Sequence, residues 1–224
     1  MHIGLIGGIG PAATELYYRE LVKAFAAAQK TLELTIVNAS TQDLARNLDR
    51  DARNDQAEIF LKFVKRLEAA GADTAVVTSL GGHFCIKELE AISPLPLINA
   101  LPALDAYFGA HGFKKIGLIG TRNVMESRFY GSVASVEILV PEGEELQATH
   151  DNYVAIATRG AATQAQRDFF ISMGEKLCLQ RGADAVALGG TDLFVAFDGM
   201  NCGYPVIDCA KVHVDAIVTR AIGG

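Results

Sequence analysis

The segment Ile3-Gly4-Leu5-Ile6-Gly7-Gly8 returns 113 residues later as Ile116-Gly117-Leu118-Ile119-Gly120-Thr121. Gly71-Ala72-Asp73 returns after 111 residues as Gly182-Ala183-Asp184. Pro96-Leu97-Ile98-Asn99 returns after 109 as Pro205-Val206-Ile207-Asp208. Matches in one order at nearly one offset point to a duplicated architecture, two similar halves of roughly 110 residues each.

Within each half the pattern alternates between short β-branched runs and longer amphipathic stretches. Ile3–Ile6, Leu34–Val37 and Ala75–Val77 read as buried strands, with Pro96–Asn99 as a short fourth. Glu15–Ala28 reads as a helix with Leu16, Leu21, Val22 and Phe25 inward. Asp49–Ala70 reads as one long helix burying Ile59, Phe60, Phe63, Val64 and Leu67, and Gly71 ends it. Leu101–Phe108 and Val212–Ile222 are helical too. Strands alternating with helices predict parallel sheets covered on both faces. The expected fold is therefore α/β, with two pseudo-symmetric parallel-sheet halves and a cleft between them. The halves are 1–100 and 101–224, and the last helix, 212–222, packs back across the molecule onto the first.

Composition narrows the function classes. Hydrophobic residues make up 50% and charged residues 21%, which excludes disorder. The formal net charge is −6 and no Lys/Arg cluster exists, which argues against nucleic acid as a partner. No apolar run is long enough to span a membrane. The chain enters a strand directly from Met1-His2, without the basic start of a signal peptide, and a cytoplasmic protein is expected. Cys85, Cys178, Cys202 and Cys209 match no zinc spacing and read as free, mostly buried thiols, with no metal site expected.

The chemistry-bearing residues cluster after the strands. Gly7-Gly8-Ile9-Gly10-Pro11 opens the first helix, with Pro11 fitting its first turn. Gly8 and Gly10 match two glycines of a dinucleotide fingerprint, but Ala13 replaces the third and no acidic residue ends the second strand, so a nicotinamide is not expected. Asn38-Ala39-Ser40-Thr41 stands at that end instead. The third strand runs into Thr78-Ser79-Leu80-Gly81-Gly82-His83, and its counterpart into Leu188-Gly189-Gly190-Thr191-Asp192. Backbone N–H groups and hydroxyls at strand ends suit a small anion, and small hydroxyl residues equally suit turns and caps. Thr14, Ser40, Thr41 and Thr121 are candidate donors.

Several motifs resemble the aspartate/glutamate racemase family. Gly7-Gly8-Ile9-Gly10-Pro11-Ala12-Ala13-Thr14 is similar to its opening GGMGPxAT. Gly120-Thr121-Arg122-Asn123-Val124-Met125-Glu126 with Phe129-Tyr130 is similar to its GTRxTMExxFY segment. Pro141-Glu142, Gly189 to Leu193, and Pro205 to Asp208 with His213 fall in register, so the likeness spans essentially the whole chain. The resemblance implies a fold of two facing halves, an amino-acid or small-carboxylate ligand, no cofactor, and a homodimer. It also implies racemisation by a base and an acid on opposite faces of Cα. Thiols suit that task because their pKa lies near working pH.

The family's thiols open Cys-Asn-Thr-x-His in one half and lie in Gly-Cys-Thr-Glu in the other. Counting back from His83, Ser79 takes the first place, with Leu80 and Gly81 for the Asn and Thr. Gly190 takes the second. Glycine carries no proton, and serine needs an adjacent base. The two-thiol mechanism therefore does not run here as written. The candidate substitutes are His83 and Asp192 as proton carriers, or Cys202 or Cys85 reaching the cleft. The remaining possibilities are a protein that binds without turnover and a different isomerase or lyase on the same scaffold. Ligand contacts are expected from Gly8, Gly10, Thr14, Ser40, Thr41, Leu80, Gly81, Thr121 and Thr191. His83 after its double glycine also reads as a histidine bonded to backbone at a helix start. Arg159 is a candidate for a substrate carboxylate or a solvated charge.

Overall fold

A computed structural model describes residues 1–223. The order is β1 (His2–Gly7), α1 (Pro11–Ala27), β2 (Glu33–Asn38), α2 (Thr41–Asp49), α3 (Arg53–Ala69), β3 (Thr74–Val77), α4 (Ile86–Ile92) and α5 (Ala100–Ala110). Then come β4 (Lys115–Ile119), α6 (Arg122–Glu126), β5 (Glu137–Leu139), α7 (Gly143–Arg159), α8 (Gln164–Glu175), β6 (Ala185–Leu188), α9 (Phe194–Phe197), β7 (Val206–Asp208) and α10 (Cys209–Ile222). Contacts divide the chain into two compact units. One comprises Met1–Ala100 with His213–Gly224, the other Leu101–Val212.

The two sheets are parallel and share one plan. The first has the order β2-β1-β3 and the second β5-β4-β6-β7. Ile3 pairs with Thr74 as Ile116 pairs with Ala185. Nearly every residue of β1, β3, β4 and β6 is buried, so side chains on both faces are covered by helices, as a parallel sheet requires.

The repeated motifs have identifiable jobs. Asp73 accepts the His2 N–H at 2.7 Å and returns its own N–H to His2 O. Asp184 accepts the N–H groups of Lys114 and Lys115 at 2.6 and 2.9 Å, bonds that hold its carboxyl below the usual range. Each aspartate thus ties the start of the central strand to the end of the preceding helical segment. The strand glycines Gly4 and Gly117 receive a leucine from that helical segment: a Cβ would stand 2.8 Å from Leu67 Cδ1 and 2.9 Å from Leu177 Cβ, respectively.

Local expectations shift in five places. The fourth strand of the first half is only a single bridge, Ala75 to Leu97. Pro96 has no N–H, and its carbonyl takes both the Ala75 N–H and the Thr74 hydroxyl. In the second half Val206–Asp208 is a true strand. The expected long helix 49–70 is two helices, α2 and α3, because the chain reverses through Asp51 at φ +47°. A buried Asn47–Gln56 hydrogen bond of 2.9 Å pins the two together. Helix α1 begins at Pro11 rather than Glu15. Val22 is exposed, since Tyr17, Leu21 and Phe25 at four-residue spacing form the inner face and Val22 lies about 100° round from Leu21. Ile59 and Phe63 are only half-buried, and Arg66 covers the Phe63 ring at 5.1 Å.

Candidate functional site

In the first unit, β1 ends in a turn with Gly8 at φ +79° and Gly10 at φ +110°. Two threonines hold it. Thr14 Oγ1 accepts the Gly8 N–H at 2.9 Å and donates to Gly10 O, while Thr41 Oγ1 donates to Gly8 O at 2.8 Å. Ser40 caps α2 by accepting the Asp43 N–H. These hydroxyls therefore shape the strand ends. What the turn presents is the start of α1, a 17-residue helix with no side-chain cap and no acidic residue in its first turn. That end of a long helix attracts a carboxylate.

At the end of β3 the Thr78 N–H and hydroxyl both bond to Ile6 O. Ser79 and Leu80 follow, then a tight 3₁₀ segment, Gly81–Cys85. Leu80 is buried, so its side chain belongs to the core. A Cβ at Gly81 would lie 3.4 Å from Ser79 Oγ, ordinary contact. His83 is buried, and both its ring nitrogens meet backbone. Nδ1 donates to the Ser79 carbonyl at 2.8 Å, and Nε2 accepts the Ala100 N–H at 3.2 Å. Burial pushes its pKa down to about 4, with the Ser79 carbonyl opposing, so the ring is neutral at pH 7. Beside it, at a T-shaped 5.7 Å, lies His213. His213 Nε2 donates to Ile98 O, and Nδ1 accepts from the Tyr17 hydroxyl, both at 2.8 Å. Burial and then the neighbouring His83 bring its pKa to about 3.

In the second unit, Gly120 and Gly189–Gly190 form the corresponding crossing. A Cβ on Gly120 would stand 2.7 Å from the Gly189 backbone. Thr121 caps α6 by accepting the Val124 N–H. The ring of Tyr153, from α7, lies directly on Gly190: a Cβ there would come within 2.2 Å of Tyr153 Cε2. The Tyr153 hydroxyl donates to Asp192 Oδ2 at 3.1 Å. Tyr153, Thr191 and Asp192 are all buried. Burial first, and the Asp192 charge second, hold the phenol well above its ordinary pKa, so it keeps its proton. Thr191 Oγ1 is buried without a hydrogen-bond partner of ordinary geometry, although it lies close enough to the phenol to favour ionisation slightly.

Residues 6–217 match the Asp/Glu/Hydantoin racemase family. The chain belongs to that family. The fold is shared with solved structures at low identity. A putative Asp/Glu racemase from Yersinia pestis superposes with a TM-score of 0.85 at 24% identity, covering 99% of this chain and 100% of that one. An aspartate racemase homologue from Pyrococcus horikoshii OT3 gives 0.81 at 22% identity, with 98% of each chain covered. Picrophilus torridus aspartate racemase gives 0.80 at 19% identity, covering 100% of this chain and 95% of that one.

In this racemase-family chain the four cysteines are free. Cys85 bonds weakly to Gly82 O, and burial pushes its thiol up to about 12. Burial also raises Cys178, Cys202 and, strongly, Cys209. All four are therefore protonated and poorly nucleophilic as they stand. Arg159 is exposed at the end of α7. Among the described residues no His/Cys/Asp/Glu cluster suits a metal ion, and no helix is long and apolar enough to cross a membrane.

The structure joins Ser79 to His83 through the serine carbonyl, and Asp192 to Gly190 through Tyr153. Tyr153 and Tyr17 did not stand out in the sequence. Tyr153 lies in α7, where the sequence offered the charged Arg159 as its candidate, and a phenol carries no charge. Tyr130, which the sequence marks only as part of the family-like segment, follows Arg128 and Phe129 in a left-handed turn: φ is 48°, 56° and 59° for the three, with Gly131 at 65°. Its phenol is near enough to raise the Tyr153 pKa.

Proposed function

We propose that this chain binds a small amino acid or related carboxylate at its glycine- and hydroxyl-rich strand ends. It then moves the Cα proton without an organic cofactor, using groups other than a thiol pair. Family membership supports the ligand class and the reaction type. The observation that carries the non-thiol reading is the Tyr153 ring seated on Gly190, where a side chain would need the same space. Ser79 is the corresponding residue of the first half, in the place the resemblance gives to the other thiol. His83 acts there by position: with both nitrogens on backbone, it fixes the carbonyl of Ser79 rather than its hydroxyl. The uncapped start of α1 takes a carboxylate of the ligand.

Proton NMR in deuterium oxide tests this reading, with L- and D-aspartate and L- and D-glutamate each incubated with the protein. Loss of the Cα proton signal is the expected result. A second reading, binding without turnover, draws on the absence of any side chain at Gly190 and of a free imidazole nitrogen beside Ser79. Ligand line broadening with no exchange would favour it. The homodimer implied by the resemblance is checked separately by sedimentation equilibrium.

A further inference from the structure

The second half holds a buried phenol–carboxylate pair in the place a side chain at residue 190 would occupy. We propose that Tyr153 is the proton-handling catalytic residue of this half. Its oxygen takes the Cα proton of the bound amino acid while its own proton passes to Asp192. The inference rests on the reading that the chain acts at Cα.

The geometry supplies each part. The ring lies on Gly190, and so covers the position the resemblance gives to a thiol. Its hydroxyl donates to Asp192 Oδ2 at 3.1 Å, so the proton already has a path to a carboxylate. The neighbouring Thr191 hydroxyl is buried beside the phenol, without a hydrogen bond of ordinary geometry. The left-handed turn Arg128–Gly131 brings a second phenol, Tyr130, near the first. Three successive non-glycine residues, Arg128, Phe129 and Tyr130, hold that strained conformation.

The relay balances. The C–H bond breaks toward the Tyr153 oxygen, and its electron pair stays on the substrate as an enolate-like carbanion. The phenol O–H bond breaks toward Asp192, which becomes the carboxylic acid. The phenol is neutral before and after, as its raised pKa requires. Once the Tyr153 hydroxyl has swapped its proton with the deuterium oxide solvent, reversal returns deuterium to the same face. One relay thus exchanges hydrogen for deuterium with retention, and conversion to the other enantiomer needs a second carrier. Exchange, not optical rotation, is therefore the readout.

The experiment compares the full-length protein with Tyr153→Phe and Asp192→Asn, by Cα-proton NMR in deuterium oxide with the four aspartate and glutamate enantiomers. Thermal shift with the same compounds reports binding. Phenylalanine keeps the ring on Gly190, so packing and binding persist. Exchange falls at least ~100-fold in both variants, the size of a lost general acid–base group. The pH profile of the remaining exchange loses the limb that belongs to the pair. Exchange at the original rate in Tyr153→Phe overturns the relay alone. No exchange by the unmodified protein with any of the four overturns both the relay and the action at Cα. If Tyr153→Phe loses binding as well as exchange, the phenol holds the ligand and the relay is overturned. Should Asp192→Asn fail to fold, Tyr153→Phe decides the matter unaided.

Discussion

Gly190 and Tyr153 compete for one volume. Cysteine at 190 would place its Cβ 2.2 Å from the ring, which is buried and also bonded to Asp192. Gly190→Cys is therefore expected to lower stability by about 1–3 kcal/mol, as overpacked sites do. Adding Tyr153→Ala should recover part of that loss, a coupling that urea denaturation of the two single variants and the double variant would measure. Equal, additive losses would show that the ring and residue 190 do not contend. The candidate site was legible only in part. Glycine and hydroxyl composition marked the strand ends, because tight turns accept few residue types. That Thr14, Ser40, Thr41 and Thr121 hold turns and caps emerged only with the bonds themselves. Tyr153 stands 39 residues before Asp192, and no local spacing rule links a helix residue to a turn that far away.

At the scale of elements, helix ends were readable where glycine marks them. Gly71, Gly112, Gly160 and Gly182 all adopt positive φ where helical segments stop. Helix α1 ends differently, with Gln29 at φ 54° and exposed. Gln29→Gly relieves that left-handed strain, offset by the freedom glycine gains on unfolding. A net stabilisation of roughly 0.5–1 kcal/mol is expected, seen as a Tm rise of about 1–4 °C by calorimetry. An unchanged or lower Tm would mean that the glutamine is unstrained there. The elements that were misread share a cause. The break between α2 and α3 turns on one residue, Asp51, within a run whose apolar spacing continues on either side. The lost fourth strand turns on the carbonyl of Pro96, which is taken by Thr74 as well as by the sheet. Periodicity reports which face is buried, and is silent on a single reversed dihedral.

On the scale of the whole molecule, the duplication was plain from the sequence because the same contacts recur: aspartate to strand start, leucine to strand glycine, proline to the edge of the sheet. What does not recur is the histidine pair. His83 and His213 are neutral and buried in the folded chain, with pKa values of about 4 and about 3, while in the unfolded chain each titrates near 6.5. The unfolded state therefore binds more protons in that window. Their stabilising effect is complete above about pH 6.5 and is lost as the pH falls toward 3. For His83 the loss amounts to about 3 kcal/mol by pH 4. Urea midpoints at pH 7.5, 6, 5 and 4 check this. His83→Gln should flatten the decline, and an equal slope in that variant would count against the assignment.

His213 has a further meaning. It belongs to the segment His213–Gly224 that completes the unit otherwise built from Met1–Ala100, and its imidazole takes the hydroxyl of Tyr17, 196 residues earlier. The unit made from Leu101–Val212 is continuous in the chain. During translation, then, the half that leaves the ribosome first is the half that finishes last. The His213 links to Ile98 O and the Tyr17 hydroxyl, and the burial of Val214 and Ile217, wait for the segment that begins at His213. Synthesis of Leu101–Val212 therefore falls between the two parts of the other unit, which stays incomplete through that interval.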